Sequence, residues 1–571
     1  MQKKICISVF TILFCFFDAY AQSTLLPIGS DDNTLLDRLE TKSGKLSDSL
    51  CLTFRAEMRN RAVDFILQKK NENSVRLSKI DLYNLNQMLS ENGEWSQNED
   101  GAIDSKHPWF NTFYKKQYDM VHVKTKDFFF VFNPVVNLTT THEQGNAKSV
   151  LLLNQHGIEA RGRITSKIGF YTLLTDNQET VPSFITNYAV SRRALPGFDY
   201  YLSKTSPNNF DYFYASGYIN FSAVKDHVDI TFGNGKNFIG DGIRSLFISD
   251  NSANTTYLKI NTRIWKFNYQ NLFLELTPQF RNIDQQLAHT YSTIHHLSIN
   301  ATKWLNLGIF ETIVFSRPNT YEVDYLNPII FYRYVERVNG SPDNVLIGFN
   351  AKAIAAHHLQ FYGQFLLDEF TGKEFFAGKG YWANKWGFQL GGKYFDAFSV
   401  KNLDLQGEIN AVRPFTYSHS DTVINYSNYN QALAHPLGSG FIEMLGVAKY
   451  APLKNLNITL KGMYYMKGAD TGSINYGNDI FTNYISRYAN YGVPWISGVK
   501  TNCMELGLNV SYQLFRNVYL DIGGAHRRFV SDITKVPISS TTGVSTGNSS
   551  TTWYYFGIRW NAARRAYDSY F

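Results

Sequence analysis

The stretch LDLQGEINA, Leu403 to Ala411, alternates without a break. Leu403, Leu405, Gly407, Ile409 and Ala411 fall on one side of an extended chain, and Asp404, Gln406, Glu408 and Asn410 on the other. Successive side chains of a strand point to opposite faces, so this period of two marks a half-buried strand and not a helix.

The same pattern recurs on both sides of it. In LKINTRI (258–264), Leu258, Ile260 and Ile264 oppose Lys259, Asn261 and Arg263. In LNITLK (456–461), Leu456, Ile458 and Leu460 oppose Asn457, Thr459 and Lys461. Segments of ~10 residues, the length a tilted membrane-spanning strand needs, can be placed from near 127 to near 551, and they number 18. Tight turns near Thr165, Lys225, Lys266, Lys303, His357, Ser399, Lys454 and Arg516 alternate with long excursions at 179–210, 236–254, 316–342, 413–438, 467–499 and 530–549. Outer-membrane barrels have an even strand count, short turns on the periplasmic side and long outer loops. A sandwich or propeller gives no reason for such strict alternation. The expected fold is therefore all-β and transmembrane, an 18-stranded antiparallel outer-membrane β-barrel with its apolar sets facing lipid and its polar sets facing the lumen. The run WYYFGIRW (553–560) is the expected closing strand, followed by a short tail.

Composition agrees with this reading. The 571 residues are 16% aromatic, with 37 Tyr and 43 Phe, and carry a formal net charge of only +7, too weak a balance for a nucleic-acid partner. Lys3 and Lys4 precede an apolar run from Ile5 to Phe17, and Ala19-Tyr20-Ala21 supplies small residues at cleavage spacing, so residues 1–21 read as a secretory signal peptide. Bulky Phe14 disfavours lipid attachment at Cys15. The mature chain keeps only Cys51 and Cys503, read as two unpaired buried thiols. After the signal, no apolar run is long enough for a helical span. Residues 22–125 read as a small helical bundle capping the periplasmic end of the barrel at 126–571. Leu46, Leu50, Phe54 and Met58 recur at helical spacing, and a second run opens at Ser78 with a capping box to Asp81 and stops at Gly93.

Between two of these strands lies FGNGKNFIGDGIRSLFISD (232–250), whose glycines suggest a phosphate loop. A P-loop around Lys236 would need Gly at 230 and Ser or Thr at 237, where the chain has Ile230 and Asn237; a dinucleotide fingerprint would need Gly or Ala at Phe238. Val228, Ile230 and Phe232 are expected to face lipid, with Asp229, Thr231, Gly233 and Gly235 inward, before the chain leaves as a long outer loop. Its glycines suit tight bends and close backbone approach.

Four stretches carry a family resemblance: LPIGSDDNTLLDRLETKSGKLSDS (26–49), SKIDLYNLNQMLSENGEW (78–95), FGNGKNFIGDGIRSLFISD and YNQALAHPLGSGF (429–441). Together they resemble the Wzi-type capsule-assembly outer-membrane proteins, most nearly the branch of gliding bacteria known as RemB. The resemblance implies an 18-stranded barrel closed on the periplasmic side by a helical bundle. It also implies a lectin-like hold on capsular polysaccharide without catalysis, and an association with gliding.

Polysaccharide binding needs aromatic faces for the C–H side of sugar rings, and amides or charges for their hydroxyls. Candidates are Lys236, Asn237, Asp241 and Arg244 in the Gly-rich loop, Trp382 and Trp386 in YWANKW, and Tyr417, Tyr426, Tyr429, Gln431 and His435 in 415–436. Lys236, Asp241 and Arg244 can equally neutralise one another, and Tyr and Trp also form the girdles of any membrane barrel. No G-x-S-x-G occurs, and the pairs His295-His296, His357-His358 and Asp368-Glu369 point to opposite faces of a strand, so no enzyme, metal or cofactor is expected. Expected partners are surface polysaccharide, outer-membrane lipid and envelope export or gliding machinery. A passive porin and a docking scaffold are the alternatives.

Overall fold

The computed structural model describes residues 23–566, apart from 73–74, 97–103, 146–149, 166, 207, 278–288, 318–321, 329–333, 336–342, 472–473 and 533–547. The signal segment at 1–21 lies outside the described residues.

Eighteen strands form the wall. In chain order they are β1 (Phe128–Glu143), β2 (Val150–Ile164), β3 (Ile168–Thr180), β4 (Asn209–Val224), β5 (Val228–Gly235), β6 (Thr255–Ile264), β7 (Phe267–Leu276), β8 (Thr290–Asn300), β9 (Leu305–Phe315), β10 (Asn344–Ala355), β11 (Leu359–Leu367), β12 (Trp386–Tyr394), β13 (Leu403–Val412), β14 (Phe441–Leu453), β15 (Leu456–Ala469), β16 (Val499–Phe515), β17 (Val518–Ser531) and β18 (Ser549–Trp560). Each pairs antiparallel with its sequence neighbours, and β18 closes on β1, with Val136 opposite Trp560 and Glu143 opposite Trp553. The predicted closing strand is the one that makes the seam. Closure leaves no unpaired sheet edge, which a chain in hydrocarbon cannot tolerate.

The alternation read in the sequence is the alternation of the wall. Ile409 is 42% exposed on the outside while Glu408 and Asn410 are buried inside. On β5, Phe232 is 54% exposed outward, with Asp229 and Thr231 buried on the inner side. Leu390, Phe361 and Leu506 continue the outward apolar band, the surface that a lipid layer covers. No helix among the described residues is long and apolar enough to cross a membrane. At one end the strands join through short turns, among them 225–227, 265–266, 301–304, 356–358, 395–402, 454–455 and 516–517. Thr165, Asp226, Trp265, His357 and Asn517 take left-handed backbone there. The long connections leave the other end.

The lumen is filled from both ends. From the turn end come three helices, α1 (Asp31–Ser43), α2 (Arg59–Asn71) and α3 (Lys79–Glu91), packed through Leu36, Leu39, Val63, Ile66, Leu85 and Leu89. The predicted capping box is present: the Ser78 hydroxyl accepts from Asp81 N at 2.9 Å, and the Asp81 carboxylate accepts from Ser78 N at 2.8 Å. The predicted helix over 46–58 is not. Those residues run as turns between α1 and α2, because Leu50, Phe54 and Met58 are drawn to different neighbours; Phe54 bridges to Ile239 and Met58 to Leu25. α1 ends at Gly44 in left-handed backbone (φ 70°), where any Cβ would stand 2.4 Å from His357 of a barrel turn.

Buried charges lock the bundle to the wall. Arg38 reaches Asp81 at 2.7 Å, Asp396 at 2.5 Å and also Asp404, and Lys42 meets Asp81 and Asp396, each at 2.8 Å. Lys352 of β10 meets Glu40 at 3.0 Å, and Lys393 of β12 meets Asp37 at 2.7 Å.

From the loop end comes the Gly-rich segment 236–254. It leaves β5 where expected but folds back into the lumen instead of standing outside. Ile239, Leu246, Phe247 and Ile248 are buried in one cluster with Phe54, Phe310 and Leu366, and Phe247 stacks on Phe310 at 4.4 Å. Gly240 N donates to Thr53 O at 2.9 Å, so loop and N-terminal segment meet inside the barrel. After β18 the tail also turns inward, and Arg565 pairs with Glu179 at 2.9 Å. A cavity of ≈ 40 Å³ beside Arg564 and Arg565 is a remnant of the lumen.

Candidate functional site at the loop end of the barrel

The Gly-rich loop cradles an anion, and that anion is the protein's own. The carboxylate of Glu408 accepts from Ile243 N at 2.7 Å and Arg244 N at 3.1 Å. A Cβ at Gly242 would stand 2.4 Å from the same carboxylate, so glycine is required by close approach.

The other loop candidates also find partners inside the chain. Lys236 donates to the carbonyls of Gly197 and Ser252, and burial lowers its pKa to about 8, with Asp250 acting in the opposite sense. Asn237 is buried beside Thr255. Asp241 accepts from Thr53 at 3.1 Å and faces Lys352 at 3.5 Å, and Arg244 reaches Glu443 at 3.6 Å.

The 415–440 segment is a second inward plug. The Tyr417 hydroxyl donates to Leu246 O at 2.8 Å, and the Tyr417 ring stacks on Tyr426 at 5.9 Å, both buried. Phe415 and Tyr417 hold left-handed backbone at φ 68° and 72°, an unfavourable conformation for aromatics that the surrounding packing imposes. Gln431 links Gly197 N and Phe198 O at 2.8 and 2.7 Å. His435 accepts Leu437 N at Nδ1 and therefore donates from Nε2 to Glu443 at 2.8 Å. Burial lowers the pKa of this imidazole, against the pull of Glu443. Tyr429 remains half-buried against Tyr200 at 5.0 Å.

The two tryptophans separate. Trp386 begins β12 on the outward face, against Trp495 at 4.8 Å and Phe365 at 5.7 Å, the placement of an interfacial girdle. Trp382 instead is buried with Phe415 and Val493 beneath a platform at the junction of loops 368–385 and 470–498. The loops are zipped together: Trp382 N donates to Asn490 O at 3.0 Å, Gly492 N to Lys379 O at 2.9 Å and Val493 N to Gly380 O at 3.0 Å. The Arg487 guanidinium lies 4.1 Å from the Trp382 ring and is steadied by Asn490 Oδ1 at 2.7 Å. Tyr381 packs tilted against Tyr491, which is 49% exposed, with ring centres 5.3 Å apart. Arg487 and Tyr491 were missed individually in the sequence. They lie in the long excursion at 467–499.

Beside the platform a recess of ≈ 80 Å³ opens between helix α4 (Ser183–Arg192), the 430–438 segment and the ends of β15 and β17. Among the described residues, no group of three or more His, Cys, Asp or Glu is placed to hold a metal ion.

A closed 18-stranded antiparallel barrel with an inward-packed helical N-terminus and plugged lumen defines the class. No family model matches the chain, and no curated protein matches it. Among solved structures it is similar to Wzi, an outer-membrane protein involved in group 1 capsule assembly in Escherichia coli and described as a carbohydrate-binding β-barrel. The likeness covers 95% of this chain and 100% of that one, at a TM-score of 0.55 and 13% identity, and extends to the fold. OprD of Pseudomonas aeruginosa aligns over 76% of this chain and 94% of its own, at TM-score 0.41 and 9% identity.

Proposed function

We propose that this protein is an integral outer-membrane barrel that binds surface polysaccharide with its loop end facing outward. The observation that carries the reading is the platform where two loops join over the buried Trp382, leaving Tyr491 and Asn490 exposed beside the half-buried Tyr381 and Arg487, above a filled lumen. Sugar rings stack on such faces, and amides and guanidinium serve their hydroxyls. Wzi, with the same fold, is described as carbohydrate-binding, which supports the reading without supplying the sugar. Capsule assembly is then the retention of polymer at the cell surface, and a part in gliding follows from an ordered coat. The signal peptide at 1–21 accounts for export, and the helical bundle would face the periplasm, where export or gliding machinery could dock.

A deletion strain scored for polymer on cells and in the medium tests this reading. Polymer made but shed supports it, whereas an intact coat overturns it. The passive-channel alternative meets a lumen occupied by the bundle, the 236–254 loop and the C-terminal tail.

A further inference from the structure

The ≈ 80 Å³ recess beside the platform contains a cation without a full set of partners. Arg527 of β17 is only 2% exposed, yet its Nε and Nη1 have no hydrogen-bond partner. Its guanidinium carbon lies 4.7 Å from the Phe184 ring and 5.2 Å from the Phe529 ring. Glu505, opposite on β16, leaves those two nitrogens unbonded. A buried cation with open donors costs several kcal/mol unless something negative meets it.

The rest of the lining has the same bias. Lys467 and Arg192 also reach the recess. The two carboxylates present are committed to their own loop. Asp470 accepts from Tyr476 N at 2.9 Å, Asn478 Nδ2 at 3.0 Å and Asp479 N at 3.2 Å. Asp479 accepts from Phe481 N at 3.2 Å and faces Arg192 at 3.6 Å. The amides of Asn187, Asn430 and Gln431 complete the wall. The volume holds roughly two or three waters, which suits a carboxylate or phosphate group and not a whole sugar ring.

We infer that this recess is an oxyanion subsite, in which Arg527 and Lys467 receive an acid group carried by a sugar polymer or a phosphate while the rest of the ligand lies across the platform. The inference rests on the polysaccharide reading for its ligand but not for its chemistry. A guanidinium between aromatic rings in a desolvated recess takes carboxylates and phosphates through charge-assisted hydrogen bonds.

The test is calorimetric titration of the purified full-length protein with sodium glucuronate, inorganic phosphate and neutral methyl glucoside, repeated on Arg527→Gln and Lys467→Met. Heat-modifiable gel migration checks that each variant keeps its barrel. Binding of glucuronate or phosphate that falls at least tenfold in both variants, with no binding of the neutral sugar, is expected. Preference for glucuronate assigns a uronic acid and preference for phosphate a phosphorylated ligand. If neither anion binds, or both variants bind as the parent does, the subsite is overturned. Should polymer be retained while neither anion binds, the polysaccharide reading stands and this one falls; anion binding without polymer retention is the reverse.

Discussion

Lys352 on the barrel wall and Glu40 on the first helix meet at 3.0 Å, with side chains only 3% and 2% exposed. Neither charge has water to fall back on, and Asp241 of the inward loop lies 3.5 Å from the same ammonium. One lysine therefore ties wall, bundle and loop together.

Lys352→Met should leave Glu40 and Asp241 buried without their cation and cost about 3–5 kcal/mol, the usual result of removing one partner of a buried pair. Restoring neutrality with Glu40→Gln in the same chain should recover part of the loss. The readout is the thermal midpoint of heat-modifiable migration, together with protease cutting within 31–91.

The clamp at Arg38 should weaken only in acid. Burial alone would raise the carboxyls of Asp81 and Asp396, but Arg38 and Lys42 outweigh it and hold both below the usual carboxylate range. A carboxyl depressed in the folded state contributes stability that is full above its unfolded pKa and is lost as pH falls through the folded one. For Asp81 and Asp396 proteolysis should thus be flat from neutrality to about pH 5 and rise below it, while Glu91 of α3, which burial pushes up to about 8, favours the folded bundle as it takes its proton below that pH. A rise already at pH 6–7 would contradict this account.

The plugged lumen should not conduct. Planar bilayers with the parent protein are expected to show no steady channel, whereas replacing 239–249 with a short Gly-Ser linker should open one. Leu246, Phe247 and Ile248 are fully buried lumen filling whose removal leaves a void.

How much of this was legible in the sequence depends on what each residue answers to. Strand number, order and facing were legible at LDLQGEINA because a wall one residue thick, with lipid on one side and polar filling on the other, prints a period of two directly. Ser78 and Asp81 were legible because a capping box is local. The path of 232–250 was not, since its apolar residues pack on Phe54 and Phe310, far away in sequence. The same contacts explain the false helix at 46–58. Of the candidate site, Trp382 could be named, but its partner Arg487 sits over 100 residues later in sequence, and no spacing rule joins them.

Tyr491→Ala, which removes the exposed ring of the platform, should weaken polymer retention about fivefold, in keeping with ~1 kcal/mol for one aromatic contact, and Arg487→Ala, which uncovers the buried Trp382 ring, should add to it. Trp386→Phe, on the girdle, should leave retention unchanged. Sedimentation of labelled polymer with detergent-solubilised protein measures each.

Cys51 and Cys503 are free and buried. Burial pushes the Cys51 thiol up to about 12. Maleimide should not label the folded barrel, and reductant should leave its thermal midpoint unchanged; labelling of both thiols is expected only after boiling.

The seam between β1 and β18 also sets an order of manufacture. The ribosome delivers the helical bundle before any wall strand, yet the hydrogen bonds that seal the cylinder are made by the last strand to be synthesised. Contents made first thus end up inside a wall sealed last, because Arg38, Lys42 and Glu40 reach partners on β10, β13 and a barrel turn from within. Whatever inserts this chain into a bilayer has to deliver wall and contents as one closed product.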